Sequence, residues 1–276
     1  MKYIDTKTQE SLKQGVITFL DITEEELMQL FEAIFFESAK EPWKMVEGYV
    51  NNITFDESLE YIQMFHLSRR LNGTDFHSNS NLEHLLITNS PISEFLKKYN
   101  LSFKQGDNHI DMYYKSKKVD LNDEYYIGPG NMSYIRSRLG FYEVQDYCVN
   151  GFAFRNNLEK NDYYSNLSRC PELIERLADF FELKNMIKDY YNNSRYYCFE
   201  YLIPMSEIIF DMNDAPKTNQ EKTIELLVRS VLRLYDEWSD DLFGLRENLI
   251  LRLDDKADVK QEWFVGLEEL EEKRKD

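Results

Sequence analysis

The chain lacks the residues that most often announce a chemistry. Its three cysteines, Cys148, Cys170 and Cys198, are an odd number with no close pair, which excludes a disulfide framework and a zinc site built on thiolates. Free thiols in or near a core are expected instead. Only four histidines occur, His66, His77, His84 and His109, and their scattered spacing gives no metal motif; no metal is expected. Lys and Arg number 33 against 50 Asp and Glu, a formal charge of −17. Stable binding driven by a phosphate backbone is therefore excluded, because it needs the opposite surplus. No apolar run approaches the ~20 residues of a membrane helix. No basic-then-apolar leader opens the chain, which runs Met1-Lys2-Tyr3-Ile4-Asp5 into polar sequence. A cytoplasmic protein that touches no membrane is expected. Glycine (10) and proline (6) are scarce, and neither G-x-x-x-x-G-K-S/T nor G-x-G-x-x-G is present. H-E-x-x-H, G-x-S-x-G and C-x-x-C are missing too.

Aromatic rings are plentiful, with 19 Tyr, 18 Phe and 3 Trp, and each buries ~150–250 Å² when packed. A substantial core follows. Thr23-Glu24-Glu25-Glu26 is a capping box, and Leu27, Leu30, Phe31, Ile34 and Phe35 then form one apolar stripe at helical spacing. Pro42 ends or restarts a helix. Tyr61 to Leu71 reads as a strand that stops at Asn72-Gly73. Asn81 to Ile87 reads as a short helix, and Ser90-Pro91 caps another. Ile110–Tyr114 and Val119–Leu121 predict a hairpin turning at Ser116-Lys117-Lys118. A helix over Met132 to Leu139 ends at Gly140, and Tyr142 to Phe154 is strand-like. Pro171 opens another helix, Arg195 to Pro204 is the clearest strand, and Thr218-x-x-Glu221 caps a long helix through Tyr235. Asn248–Leu253 and Trp263–Leu267 read as a strand pair around Asp254-Asp255.

The fold class read from this pattern is α+β: a mixed or antiparallel sheet core with an N-terminal helical region and a long C-terminal helix. Three consecutive regions are expected. Residues 1–60 are helical, 61–212 form the α+β core, and 213–276 add a helix and a strand pair packed on it.

Two segments stand out chemically. Phe65-His66-Leu67-Ser68-Arg69-Arg70 sets an imidazole beside a hydroxyl in a strand of hydrophobes, followed by Asn81-Leu82. Phe199-Glu200-Tyr201-Leu202-Ile203-Pro204 sets a carboxylate in an aromatic strand, where an ionised group without partners costs several kcal/mol. Glu200 therefore lies at a cleft, is paired, or faces water.

An early His, a following Asn-Leu with a helix, and a late Glu-x-Leu-Ile-Pro strand resemble the ADP-ribosyltransferase fold. The likeness is to its His-type branch, which includes DNA-targeting ADP-ribosyltransferase toxins, and it spans residues 61–212. The resemblance implies NAD as cofactor. It implies that His66 holds a ribose hydroxyl of NAD and that Glu200 is the catalytic acid acting on the nicotinamide ribose. It implies an aromatic over nicotinamide, Tyr113 or Tyr114, and an Arg near the pyrophosphate, Arg69 or Arg136. The sequence departs from the family where Leu-Ser-Arg follows His66: Ser68 stands where the family often has Thr, and no glycine-rich turn follows. A fixed carboxylate beside the oxocarbenium-like sugar is typically worth a few kcal/mol in a dry pocket.

Two readings from different classes follow. In one, the chain is an NAD-dependent ADP-ribosyltransferase that modifies a macromolecule, as a toxin or a phage-defence effector. In the other, it is a non-catalytic acidic interaction protein, an inhibitor or DNA mimic, that binds a basic protein partner. An antitoxin or a basic protein is the protein partner these readings expect.

Overall fold

A computed structural model describes all residues except 1, 38–40, 54–56, 78, 122–130, 143–144, 212–215, 242–243 and 271–276. Hydroxyl caps set the first helices: Thr8 starts α1 (Gln9–Leu20) and Thr23 starts α2 (Glu24–Phe36). At Thr23 the hydroxyl accepts the Glu26 amide while the Glu26 carboxylate accepts the Thr23 amide, the box read in the sequence. Pro42 occupies the first position of α3 (Pro42–Asn52), where its missing N–H is not needed. β1 (Tyr61–Leu71) is one unbroken strand. Asn81 caps α4 (Leu82–Ile87) and Ser90 caps α5 (Pro91–Lys98). There follow β2 (Leu101–Gln105), β3 (Ile110–Tyr114), β4 (Lys117–Lys118), α6 (Asn131–Arg138) and β5 (Asn150–Phe152). Next are α7 (Asp162–Arg169), α8 (Glu172–Phe180), α9 (Met186–Asn192), β6 (Ser194–Pro204) and β7 (Ile209–Phe210). The long α10 (Asn219–Trp238) opens on the Thr218 box, and β8 (Ile250–Arg252) and β9 (Phe264–Glu269) close the chain.

The architecture is α+β. One sheet has the order β7-β8-β5-β1-β6-β9 and a second the order β2-β3-β4. The compact units follow other lines than the three consecutive regions expected. Unit 1 takes residues 1–66, 150–164 and 200–252; unit 2 takes 67–149, 165–199 and 253–276. In unit 1, α10 packs against α1 and α3. The apolar stripes of the N-terminal helices meet it there, burying Leu12, Val16, Val46, Val50, Leu227 and Val231 completely or nearly so. Each such side chain stabilises the fold by about 1.5–3 kcal/mol relative to an exposed one. Unit 2 has its own core, in which Phe95, Leu101, Met112, Ile135, Ile174 and Tyr190 are buried together.

Four expectations change. Phe35 does not continue the buried stripe of α2: Leu27, Leu30, Phe31 and Ile34 are buried, but Phe35 is 54% exposed. The β3–β4 turn falls earlier than expected, at Lys115 and Ser116, both at positive φ (50° and 64°). That is the two-residue geometry whose twist matches antiparallel strands, so Lys117 and Lys118 pair as β4. Among the described residues of the strand-like 142–154 stretch, Asn150–Phe152 alone enter the sheet. Before it, the Asp255 carboxylate takes the place of a neighbouring strand, accepting the amides of Tyr147 at 2.8 Å and Cys148 at 3.1 Å. Lastly, β8 and β9 form no hairpin: β8 pairs with β5 and β7, and β9 neighbours β6. Among the described residues, no helix is long and apolar enough to cross a membrane.

Candidate functional site

Glu200 and His66 both belong to unit 1, at the places where β6 and β1 enter it. Glu200 is 9% exposed, and of the three fates open to a carboxylate in an aromatic strand it takes the paired one. Lys7 Nζ reaches its Oε2 at 2.6 Å, and Gln63 Nε2 donates to its Oε1 at 3.0 Å. Gln63 in turn accepts the buried Thr6 amide at 2.6 Å and the Thr6 hydroxyl at 3.2 Å. This relay fastens the segment ahead of α1 to the two strands. The partners of Glu200 are a lysine from the N-terminal segment and a glutamine of β1.

His66 points elsewhere. Side chains three apart on a strand project to opposite faces, so the Gln63 bond to Glu200 puts Glu200 on one face of β1 and His66 on the other. The His66 ring is half-buried, and its Nδ1 lies 2.6 Å from the Asn150 carbonyl. A carbonyl only accepts, which assigns the Nδ1 proton to this bond. The two side chains that the transferase reading needs around one ribose are therefore not brought together.

The remaining expected residues belong to unit 2. Ser68, two positions beyond His66 on β1, is half-buried. Arg69 is buried and holds structure. Its Nε donates to Ser194 Oγ at 2.8 Å, and its terminal nitrogens donate to the carbonyls of Ser168, Tyr191 and Ser194 at 2.6–3.1 Å. Its plane also lies 4.1 Å over the Tyr191 ring. These bonds tie the end of α9 to the start of β6. Tyr113 and Tyr114 have their rings covered, Tyr113 by Lys104 at 4.9 Å and Tyr114 by Phe181 at 4.3 Å. Arg136 stacks on Tyr142 at 5.2 Å. No protein-family model, curated protein or solved structure matches this chain. The site must be read from its own geometry. Among the described residues, no group of three or more His, Cys, Asp and Glu is placed to hold a metal ion. Cys170 and Cys198 are buried and Cys148 half-buried, and burial pushes the Cys170 thiol up to about 12.

A different feature of unit 1 stands out at the surface. The last turns of α2 and α10 end side by side, and their rings form one cluster: Phe31, Phe35, Phe36, Tyr235 and Trp238, with centroids 5.8–6.0 Å apart. Phe31 is buried beneath it. Phe36 is 79% exposed, Phe35 54% and Trp238 39%. In sequence, Glu32 and Glu37 flank Phe35 and Phe36 and Asp240 follows Trp238, whereas the Glu237 carboxylate is taken up by the side-chain amides of Asn156 and Asn157. Neither last turn carries a basic residue, and both helices end here, adding the partial negative charge of their terminal carbonyls. The sequence hinted at this only by placing Phe36 and Trp238 at helix ends, off the core stripe.

Proposed function

We propose that the protein works as an acidic interaction protein, binding a lysine- or arginine-rich segment of a partner protein on the surface where α2 and α10 end. The observation that carries this reading is the exposed ring cluster Phe35, Phe36 and Trp238 at two helix ends that carry no basic residue. Clustered exposed apolar rings mark binding surfaces. Aromatic residues anchor interfaces, and charge around them steers the encounter. A basic segment gains on each count: its cations meet carboxylates and helix C-termini, and they also stack on open ring faces. The formal charge of −17 supports the same sign of partner.

The test titrates a fluorescent amphipathic Lys/Leu peptide against the wild type and against Phe36→Ser and Trp238→Ser variants. Each variant weakens binding by about fivefold or more if the rings are anchors, and affinity falls steadily with salt. Equal affinity of wild type and both variants would remove the surface from consideration. The transferase reading has a separate test: label transfer from NAD that Glu200→Gln abolishes.

A further inference from the structure

Unit 1 contains a cleft of about 830 Å³, a volume in the range of small-molecule sites. Three of its arginines are held in different ways. Arg233 is buried, donating to the Glu247 carbonyl at 2.8 Å and to the Asn156 carbonyl, with its Nε lacking an acceptor among the described residues. The Arg229 guanidinium carbon lies over the Trp43 ring at 4.5 Å, and the Arg229 Nε is likewise buried without an acceptor among the described residues. Arg246 is exposed at the mouth. Among the lining carboxylates, Glu225 is paired with Lys217, and Asp211 lies 3.8 Å from Arg252. Asp236 and Glu247 make no side-chain hydrogen bond or ion pair among the described residues. Tyr163, 53% exposed, adds an open ring.

The donor set narrows the ligand. A carboxylate only accepts hydrogen bonds and a guanidinium only donates them, whereas a hydroxyl does both. A phosphate or carboxylate ligand would satisfy the arginines and meet Asp236 and Glu247 with like charge. An amine would satisfy the acids and meet the arginines. We propose that this cleft binds a neutral polyhydroxylated ring, a sugar or the sugar of a nucleoside, whose hydroxyls bridge Asp236 and Glu247 to Arg229 and Arg246 while Tyr163 covers its apolar face. Burial and the neighbouring acids push the Asp236 carboxyl up to about 6, in keeping with a group that exchanges protons near neutral pH.

Saturation-transfer NMR with methyl β-glucoside and with adenosine tests the proposal on the whole chain. Transfer to either probe, weakened about tenfold or more in both Asp236→Asn and Arg229→Gln, supports it; transfer to the glucoside alone identifies a sugar, and to adenosine alone a nucleoside. Arg246→Gln, at an exposed position, serves where either variant does not reach the wild-type circular dichroism. No transfer to either probe overturns the proposal. So does equal transfer in the variants, or displacement of the probe by inorganic phosphate.

Discussion

The relay Thr6–Gln63–Glu200–Lys7 gives a prediction in which the uncharged member matters more than the charged one. Lys7 is 54% exposed in its side chain and Glu200 11%, so the ion pair is half in water. Lys7→Met leaves Glu200 partly solvated and still bonded by Gln63, and we expect a loss of about 1–2 kcal/mol. Gln63 is buried and supplies the acceptor of the Thr6 amide as well as a donor to Glu200. Gln63→Leu keeps the volume, strands the buried Thr6 amide and removes one of the two partners of Glu200, at about 2–4 kcal/mol. Urea unfolding by linear extrapolation reads each value. Raising the salt should shrink the Lys7 effect through screening and leave the Gln63 effect in place. If Lys7→Met costs as much as Gln63→Leu, or if salt scales both alike, the relay is not what anchors this end of the chain.

Four more predictions concern single residues or a single ligand. Asp236 has its pKa raised by burial first and then by Asp241, Glu247 and Glu237 against the opposing pull of Arg233, up to about 6 from 3.8. The folded chain therefore holds this proton above the pH at which the unfolded chain releases it, and stability falls as pH rises through that window. Asp236→Asn should match wild type near pH 4 and exceed it by about 1–2 kcal/mol above pH 6, after discounting for solvent screening, as thermal melts across pH will report. Asp255→Ala leaves the amides of Tyr147 and Cys148 without their acceptor and should cost about 2–3 kcal/mol. Its neighbour Asp254 caps only the exposed Lys256 amide at 2.9 Å, so Asp254→Ala should shift the urea midpoint far less. Gly140 has φ +78°, and a Cβ there would meet Tyr147 Oη at 2.1 Å; Gly140→Ala should destabilise by about 2 kcal/mol or more in the same assay. On the interaction-protein reading, NAD at about 1 mM leaves the melting temperature unchanged, since a ligand stabilises only what binds it; a rise that Glu200→Gln removes supports the transferase reading instead.

Local signals were legible and distant ones were not. The boxes at Thr23 and Thr218 show in the sequence because Glu stands three residues on. The box at Thr8 uses Ser11 in that place and has no such spelling. β1 and β6 were readable from their apolar and aromatic content, and both exist at almost the expected limits. The shortening of the 142–154 strand was hidden because the acceptor that replaces a neighbouring strand, Asp255, lies more than a hundred positions away in sequence. The β3–β4 turn was misplaced because two non-glycine residues adopt positive φ there. At the candidate site, the cost of an unpartnered charge in an aromatic strand narrowed Glu200 to three fates, but its lysine came from the N-terminal segment, which no pattern linked to it. Phe35 is apolar at core spacing, and only the neighbouring helix end decides that it faces water.

The interleaving of the two units has a practical side for anyone dissecting the gene. Each is assembled from three separate stretches of polypeptide, so no single N- or C-terminal deletion yields either one intact. During synthesis the first strand of unit 1 leaves the ribosome long before Glu200, its partner through Gln63, has been made. A nascent chain stopped anywhere short of that point presents half-built surfaces, and stepwise truncation of this protein will report on aggregation rather than on the separate roles of its halves.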